Sequence, residues 1–426
     1  MLRPLLLALA LAAPAAAQAD WTALPGSPFD DYRWEDGSFV TPHHGWVVSG
    51  GGEVYETTDA GDTWTLRSVV PQYLRATAFV DASHGWMGVL FNDVKLYETT
   101  DGGATLQDVT DRIHPAIDGG VCGLFALSET HVWGAGQYAA PAYLIETTDG
   151  GASWASRDMS DLAGSLVDVY FLDSQRGFAV GGTAGTSIGG KAVVLATEDG
   201  GATWEQRFVS SRPDDEREWA WKIAFPTPEV GYVSVEDGSP GPGPFSKVLK
   251  TTDGGVTWAE LSVEGAFSMQ GIGFISETEG WVSGRGDAVR TVDGGASWQP
   301  APGLDGQVNR FEFFGDTLGY AMGQVVHRLR RQATSGETAP AADGLALRAG
   351  PSPTAGPVSV AYAAPAGDAV VDVVDALGRR VARLASGRHA AGEHRATWAP
   401  GTAAPGVYLV RLRAGASERT VRVVRL

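Results

Sequence analysis

Apolar residues along this chain come in short runs broken by Gly and Pro, and nowhere do they recur at the three-to-four-residue spacing that would build an amphipathic helix. With 57 glycines and 23 prolines between those runs, the 426 residues read as all-β, at a length that predicts two or three domains. One pattern dominates. An eight-residue unit returns six times: TTDAGDTW at 57–64, TTDGGATL at 99–106, TTDGGASW at 147–154, TEDGGATW at 197–204, TTDGGVTW at 251–258 and TVDGGASW at 291–298. Its aspartates, Asp59, Asp101, Asp149, Asp199, Asp253 and Asp293, stand 42, 48, 50, 54 and 40 residues apart. That is the period of four-stranded propeller blades rather than of helical or leucine-rich repeats.

A second signature sets the blade count. It is a Phe followed six positions later by Gly and an aromatic: Phe39 with Gly45-Trp46, Phe79 with Gly85-Trp86, Phe171 with Gly177-Phe178, Phe225 with Gly231-Tyr232, Phe274 with Gly280-Trp281 and Phe313 with Gly319-Tyr320. Phe125 and Trp133 form an imperfect seventh copy, one residue too far apart and with Val132 in the glycine position. Seven signatures against six boxes leave the last unit without a box. The segment Trp21–Gly26 has the form of the short outer strand that follows each box, as in 298–303. The expectation is a seven-bladed β-propeller over 20–331 whose last blade takes its outer strand from the N-terminal end, which removes exposed sheet edges.

Within the box, Asp before Gly-Gly or Ala-Gly can accept backbone N–H bonds while the glycines take positive φ, as a tight hairpin requires. The box tryptophans Trp64, Trp154, Trp204, Trp258 and Trp298, with Leu106 in their place in the second copy, are expected in the seam between blades. Six carboxylates spaced by whole blades cannot converge on one substrate, so the boxes are structural and no catalytic or metal-ligating role is assigned to them.

The unit S/T-x-D-x-G-x-T/S-W is similar to the Asp box, or bacterial neuraminidase repeat. Its density over 39–298 resembles the seven-bladed family of the photosystem II assembly and stability factor. The resemblance implies the fold. For function it implies little, because Asp boxes also occur in sialidases, xyloglucanases and sorting receptors.

Residues 1–19 read as a signal peptide: Arg3, an apolar stretch Leu5–Ala13 too short to span a bilayer, and the small-residue site Ala17-Gln18-Ala19. Export by the Sec translocon follows from that reading. Cys122 is the single cysteine, so no intrachain disulfide is available, and in VCGLFAL it reads as a small core residue. His43, His44 and His84 lie in turns without metal-ligand spacing, and no cofactor is implied.

Composition changes after residue 331. Residues 332–344 read as an Ala/Thr/Ser/Gly/Pro linker, and 345–426 carry eleven Arg, five acidic residues and no Lys, a formal +6. The whole chain is −18, so the remainder is −24 (−18 − 6). Such a field disfavours nucleic acid and unaided adsorption of the propeller to anionic lipid. Strands over Val358–Tyr362, Ala369–Val374, Val381–Leu384, Gly392–Trp398, Gly406–Leu412 and Glu418–Val424 predict a small immunoglobulin-like β-sandwich. VVDALGRRVARL, AAGEHRATW and APGVYLVRL, ending in the basic VRVVRL, closely resemble the C-terminal sorting domain of type IX secretion. The motif residues are Asp375, Gly378, Arg379, Gly392, Trp398, Gly406 and Tyr408, and Pro351-Ser352-Pro353 stands where that family usually has Pro-Asn-Pro. The resemblance implies passage through the periplasm to an outer-membrane secretion machine, and a secreted or cell-surface protein.

Two long polar insertions, 210–222 and 236–247, suit a binding role. In the first, Arg212, Asp214, Asp215 and Arg217 lead into Trp219 and Trp221, which could grip a sugar or peptide by stacking and carboxylate hydrogen bonds. The string GTSIGGKA at 185–192 has phosphate-loop spacing, but Ala192 replaces the metal-holding hydroxyl and a strand follows instead of a helix. The expected function is a non-catalytic binding or assembly scaffold for an unknown glycan or protein ligand. The alternatives are a sialidase- or xyloglucanase-like hydrolase and a membrane-complex assembly factor. Hydrolysis would call for two carboxylates about 5–10 Å apart at one channel mouth with convergent arginines, whereas a glycine- and aliphatic-lined channel would suit a scaffold.

Overall fold

The computed structural model describes residues 21–24, 26–27, 32–136, 141–184, 190–211, 218–237, 246–266, 268–284, 288–304, 307–331, 345–350, 357–375, 379–401, 403, 406–415 and 417–425. The signal-peptide and linker assignments (1–19 and 332–344) lie outside them. The described residues are all-β, with one short helical turn at Thr110–Arg112, and no helix among them is long and apolar enough to cross a membrane.

Seven sheets form a ring. Their innermost strands are Trp34–Phe39, Leu74–Phe79, Gly123–Ala126, Ser165–Phe171, Glu218–Ala224, Gly271–Phe274 and Arg310–Phe314. Each contacts the next, and the seventh closes on the first. Trp21–Ala23 pairs antiparallel with Val326–Arg330, Trp21 opposite Leu329, so the outer strand of blade 7 comes from the opposite end of the chain. Among the described residues blade 3 alone has five strands, Ile113–His114 lying parallel to its outer strand Trp154–Asp158.

The repeated signatures meet in the seams. The aromatic of the Gly-aromatic pair in one blade stacks on the signature Phe of the next: Trp46 on Phe79 at 3.7 Å, Tyr232 on Phe274 at 3.5 Å, and Tyr320 on Phe39 at 4.0 Å. Box tryptophans close the seam edge-on, Trp154 against Trp86 at 5.9 Å and Trp258 against Phe178 at 6.1 Å. Aromatic faces and edges are both satisfied by such trios.

Every box has one hydrogen-bond scheme. In the first, the Thr57 hydroxyl donates to Asp59 Oδ1 at 2.9 Å and accepts from the Gly61 N–H at 2.7 Å, while the Thr63 N–H and hydroxyl donate to the two Asp59 oxygens at 2.8 and 2.6 Å. In the third, fourth and fifth boxes the second glycine sits under the preceding blade's aromatic, Trp86, Trp133 and Phe178. A Cβ on Gly255 would lie 2.3 Å from the Phe178 ring.

The tail is a separate β-sandwich. One sheet holds Ala346–Gly350, Val358–Ala364 and Gly392–Trp398, the other Arg380–His389, Gly367–Asp375, Gly406–Ala414 and Ser417–Arg425. The first of these strands is not legible from alternation. Val358, Val360, Val371, Val373, Val410, Leu412 and Trp398 fill the space between the sheets, and Tyr408 meets Trp398 at 4.9 Å.

Candidate functional site

Antiparallel connectivity sorts the loops onto two faces. The innermost strands start on the face where second strands turn into third strands and where each blade passes to the next. The described residues that flank three long connections, Ala184 and Gly190, Ser211 and Glu218, and Asp237 and Ser246, therefore lie there, around one mouth of the channel. The boxes lie on the opposite face, beside the turns between first and second strands, as when the Gly150 N–H donates to Thr130 O.

Three and four residues before the signature Phe, the innermost strands carry charge where a buried strand should be apolar. These positions hold Glu35 and Asp36 in blade 1, Arg75 in blade 2, Asp168 in blade 4, Trp221 and Lys222 in blade 5, and Asn309 and Arg310 in blade 7. Pairing slips by a residue or more at four of these sites, between Trp34/Asp36, Leu74/Ala76, Leu166/Asp168 and Ala220/Ile223. Such bulges re-aim side chains.

The charged side chains interlock. Arg310 Nε donates to Asp36 Oδ1 at 2.8 Å, and its NH2 donates to Asp168 Oδ1 at 2.9 Å. Lys222 Nζ lies 3.6 Å from Asp168, and Arg75 pairs with Glu35 at 2.8 Å. Glu35 also accepts from Arg33 at 2.8 Å and from the Tyr73 hydroxyl at 2.5 Å. Asn309 donates to the Glu35 carbonyl and accepts from Trp221 Nε1 at 3.3 Å, and the Arg75 guanidinium lies over the Trp221 ring at 5.5 Å. Four cations, Arg33, Arg75, Lys222 and Arg310, thus face three carboxylates, all three within 1% of complete burial. Burial would raise the Glu35 and Asp168 carboxyls, but Arg75 and Arg33 at one, and Arg310 and Lys222 at the other, hold both below their ordinary values. Burial, reinforced by Arg310, pushes Lys222 down to about 8 against the pull of Asp168. Burial also pushes the Cys122 thiol up.

At the mouth, Leu90, Cys122, Val167, Trp219 and Trp221 form an apolar cluster against Tyr73. From it an aromatic row leads outward: Tyr73 meets Tyr32 edge-on at 6.3 Å and Phe91 at 6.5 Å. Tyr32 is 51% exposed and Phe91 48%, and Arg33 stands beside them. Phe91 and Asn92 hold φ of 68° and 73°, a conformation that costs L-residues about 1–2 kcal/mol each and here presents an apolar ring to solvent.

No protein-family model and no curated protein matches the chain. Solved structures do. YCF48 from Cyanidioschyzon merolae superposes with a TM-score of 0.56 at 20% identity, over 73% of this chain and 99% of that one. A structure titled YCF48 bound to D1 peptide gives 0.54 at 20%, over 74% and 98%. An ancestral GH74 enzyme gives 0.55 at 14%, covering 96% of this chain but 64% of its own length, so this chain spans less than two thirds of that enzyme. These likenesses establish the propeller fold alone.

Several sequence-predicted site residues land elsewhere than the loop that suggested them. Trp219 and Trp221 belong to the innermost strand of blade 5 and are buried, which corrects their placement on a solvent-facing insertion. Alternation in EWAWKIA, with the bulge after Ala220, turns both rings into the mouth cluster. Arg212, Asp214, Asp215 and Arg217 lie outside the described residues, as does Gly378 of the tail motif. The box aspartates stay on the rim, each bonded within its own turn. His44, His84 and His131 each pair with a glutamate of the adjacent strand, Glu56 at 2.7 Å, Glu98 at 3.2 Å and Glu146 at 2.8 Å, and no group of three metal-ligating side chains occurs among the described residues. Among the described residues of the innermost strands, Glu35, Asp36 and Asp168 are each paired with a cation.

Proposed function

We propose that this protein is a non-catalytic binding scaffold, and that the loop face over blades 1 and 2 is its docking surface. The observation that carries this reading is the row in which the exposed rings of Tyr32 and Phe91 flank half-buried Tyr73, with Arg33 next to Tyr32 in the chain. Exposed aromatic rings beside a guanidinium suit an extended peptide or a sugar ring, by stacking and charge-assisted hydrogen bonds. The peptide-bound YCF48 neighbour favours a peptide as the ligand. The carboxylates Glu35, Asp36 and Asp168 argue against hydrolysis at this mouth, because each is already paired with a cation.

Export rests on the sequence. The leader at 1–19 and the tail at 345–426 support passage by the Sec translocon and a type IX-like outer-membrane machine to the cell surface or medium. That destination disfavours a photosystem-type assembly role inside the envelope. Deleting 345–426 should trap the protein in the periplasm, and unaltered secretion would sink the sorting assignment.

The GH74 likeness keeps a glycoside hydrolase as the second reading. The mature chain should be screened on peptide and glycan arrays with a parallel release assay. Binding without release, lost in Tyr32→Ala/Phe91→Ala, is the expected result. Release of sugar would establish the hydrolase, and undiminished binding by the double variant would move the docking surface elsewhere.

A further inference from the structure

The tail's four-stranded sheet has two unlike faces. Inward lie Val371, Val373, Val410 and Leu412, all completely buried. Outward, the register sets Arg380 opposite Val374, Arg383 and Arg411 on either side of Asp372, Arg413 opposite Val370 and Arg388 opposite Asp368. Five arginines from two strands flank the central strand Gly367–Asp375 on one face, against three acidic positions on it, Asp368, Asp372 and, opposite Arg413 on the edge strand, Glu418. Asp372 is buried between two of them, accepting from Arg383 Nε at 2.8 Å and from Arg413 NH2 at 2.9 Å. It fixes those two guanidiniums without neutralising the row.

We propose that this face docks on an anionic lipid surface by binding headgroup phosphates. The tail has eleven Arg and no Lys, and the planar guanidinium fork matches phosphate oxygens two at a time. Strands about 4.8 Å apart hold the guanidiniums in a flat array, which a plane of headgroups can meet at several points at once. The rest of the chain carries −24 and is repelled by such a surface. Its field is screened beyond about 8 Å at physiological salt. Arginines near a membrane contribute about fivefold each to partitioning.

The test is vesicle co-sedimentation of the mature full chain. Binding is expected to vesicles containing phosphatidylglycerol and not to phosphatidylcholine alone, and to weaken with salt. Arg380→Gln/Arg388→Gln leaves both partners of Asp372 in place, so its thermal transition should be unchanged while binding falls about thirtyfold. Arg380→Lys/Arg388→Lys keeps the charge and should retain most of the binding. The proposal is overturned if the intact chain ignores phosphatidylglycerol vesicles, if it binds neutral vesicles equally, if the glutamine variant binds as well as the parent, or if the face takes soluble polyphosphate but no vesicle.

Discussion

Arg310 of blade 7 reaches Asp168 of blade 4, on the far side of the ring, at 2.9 Å, while its Nε holds Asp36 of blade 1. The channel is therefore tied across its width by one guanidinium. Removing that cation leaves two buried carboxylates with one fewer partner each. Arg310→Met should cost about 3–5 kcal/mol, read as a lower urea midpoint. A loss of under about 1 kcal/mol would mean that water reaches the carboxylates.

Lys222 sits beside the same aspartate with its ammonium buried and its folded-state pKa pushed down to about 8 from 10.5. Between those values the unfolded chain holds a proton that the folded chain has released, so stability should rise with pH across that window and be lowest below it. Lys222→Met should flatten the rise. Thermal transitions of both proteins from pH 7 to 10.5 check this, and an equal slope in the variant would assign the dependence to another group.

The rim aspartates act in the opposite pH range. Hydroxyl and backbone donors, led by Ser153, Thr203 and Thr257, hold Asp149, Asp199 and Asp253 at about 2, below the ordinary 3.8. Their contribution is complete above about pH 4 and is lost as pH falls toward 2. Asp149→Asn should lower stability at neutral pH and narrow its difference from the parent in acid. A constant difference down to pH 2 would contradict the box geometry.

Two neighbouring glycines separate backbone strain from crowding. Gly150 and Gly151 have φ of 72° and 85°, but a Cβ on Gly150 would find its nearest atom at 3.7 Å, and one on Gly151 would strike Trp86 Nε1 at 2.7 Å and Glu98 Oε1 at 2.9 Å. Gly150→Ala should cost about 1 kcal/mol from the left-handed backbone alone, and Gly151→Ala two or three times as much. The first box already carries Ala60 at the position of Gly150, at φ 65°, and Gly61 at that of Gly151. Equal losses in the two variants would remove the seam contact from the explanation.

The sequence by itself determined the propeller, its seven blades, the closure by Trp21–Ala23 and the chemistry of the boxes. Each depends on contacts between residues close in sequence or on a motif repeated once per blade, so spacing alone carries it. The tail sandwich was legible for the same reason, except for its first strand. Only the tertiary structure decided what fills the channel mouth. Glu35, Arg75, Asp168, Lys222 and Arg310 are scattered over 276 positions (310 − 35 + 1) and look like stray charges in apolar strands. Their common distance from the signature Phe was a readable cue, but it becomes a site only when seven strands share one axis and bulges turn the side chains inward. The row of Tyr32, Tyr73 and Phe91 belongs to the same class, because its rings come from three separate connections that only the packing of blade 1 on blade 2 brings together.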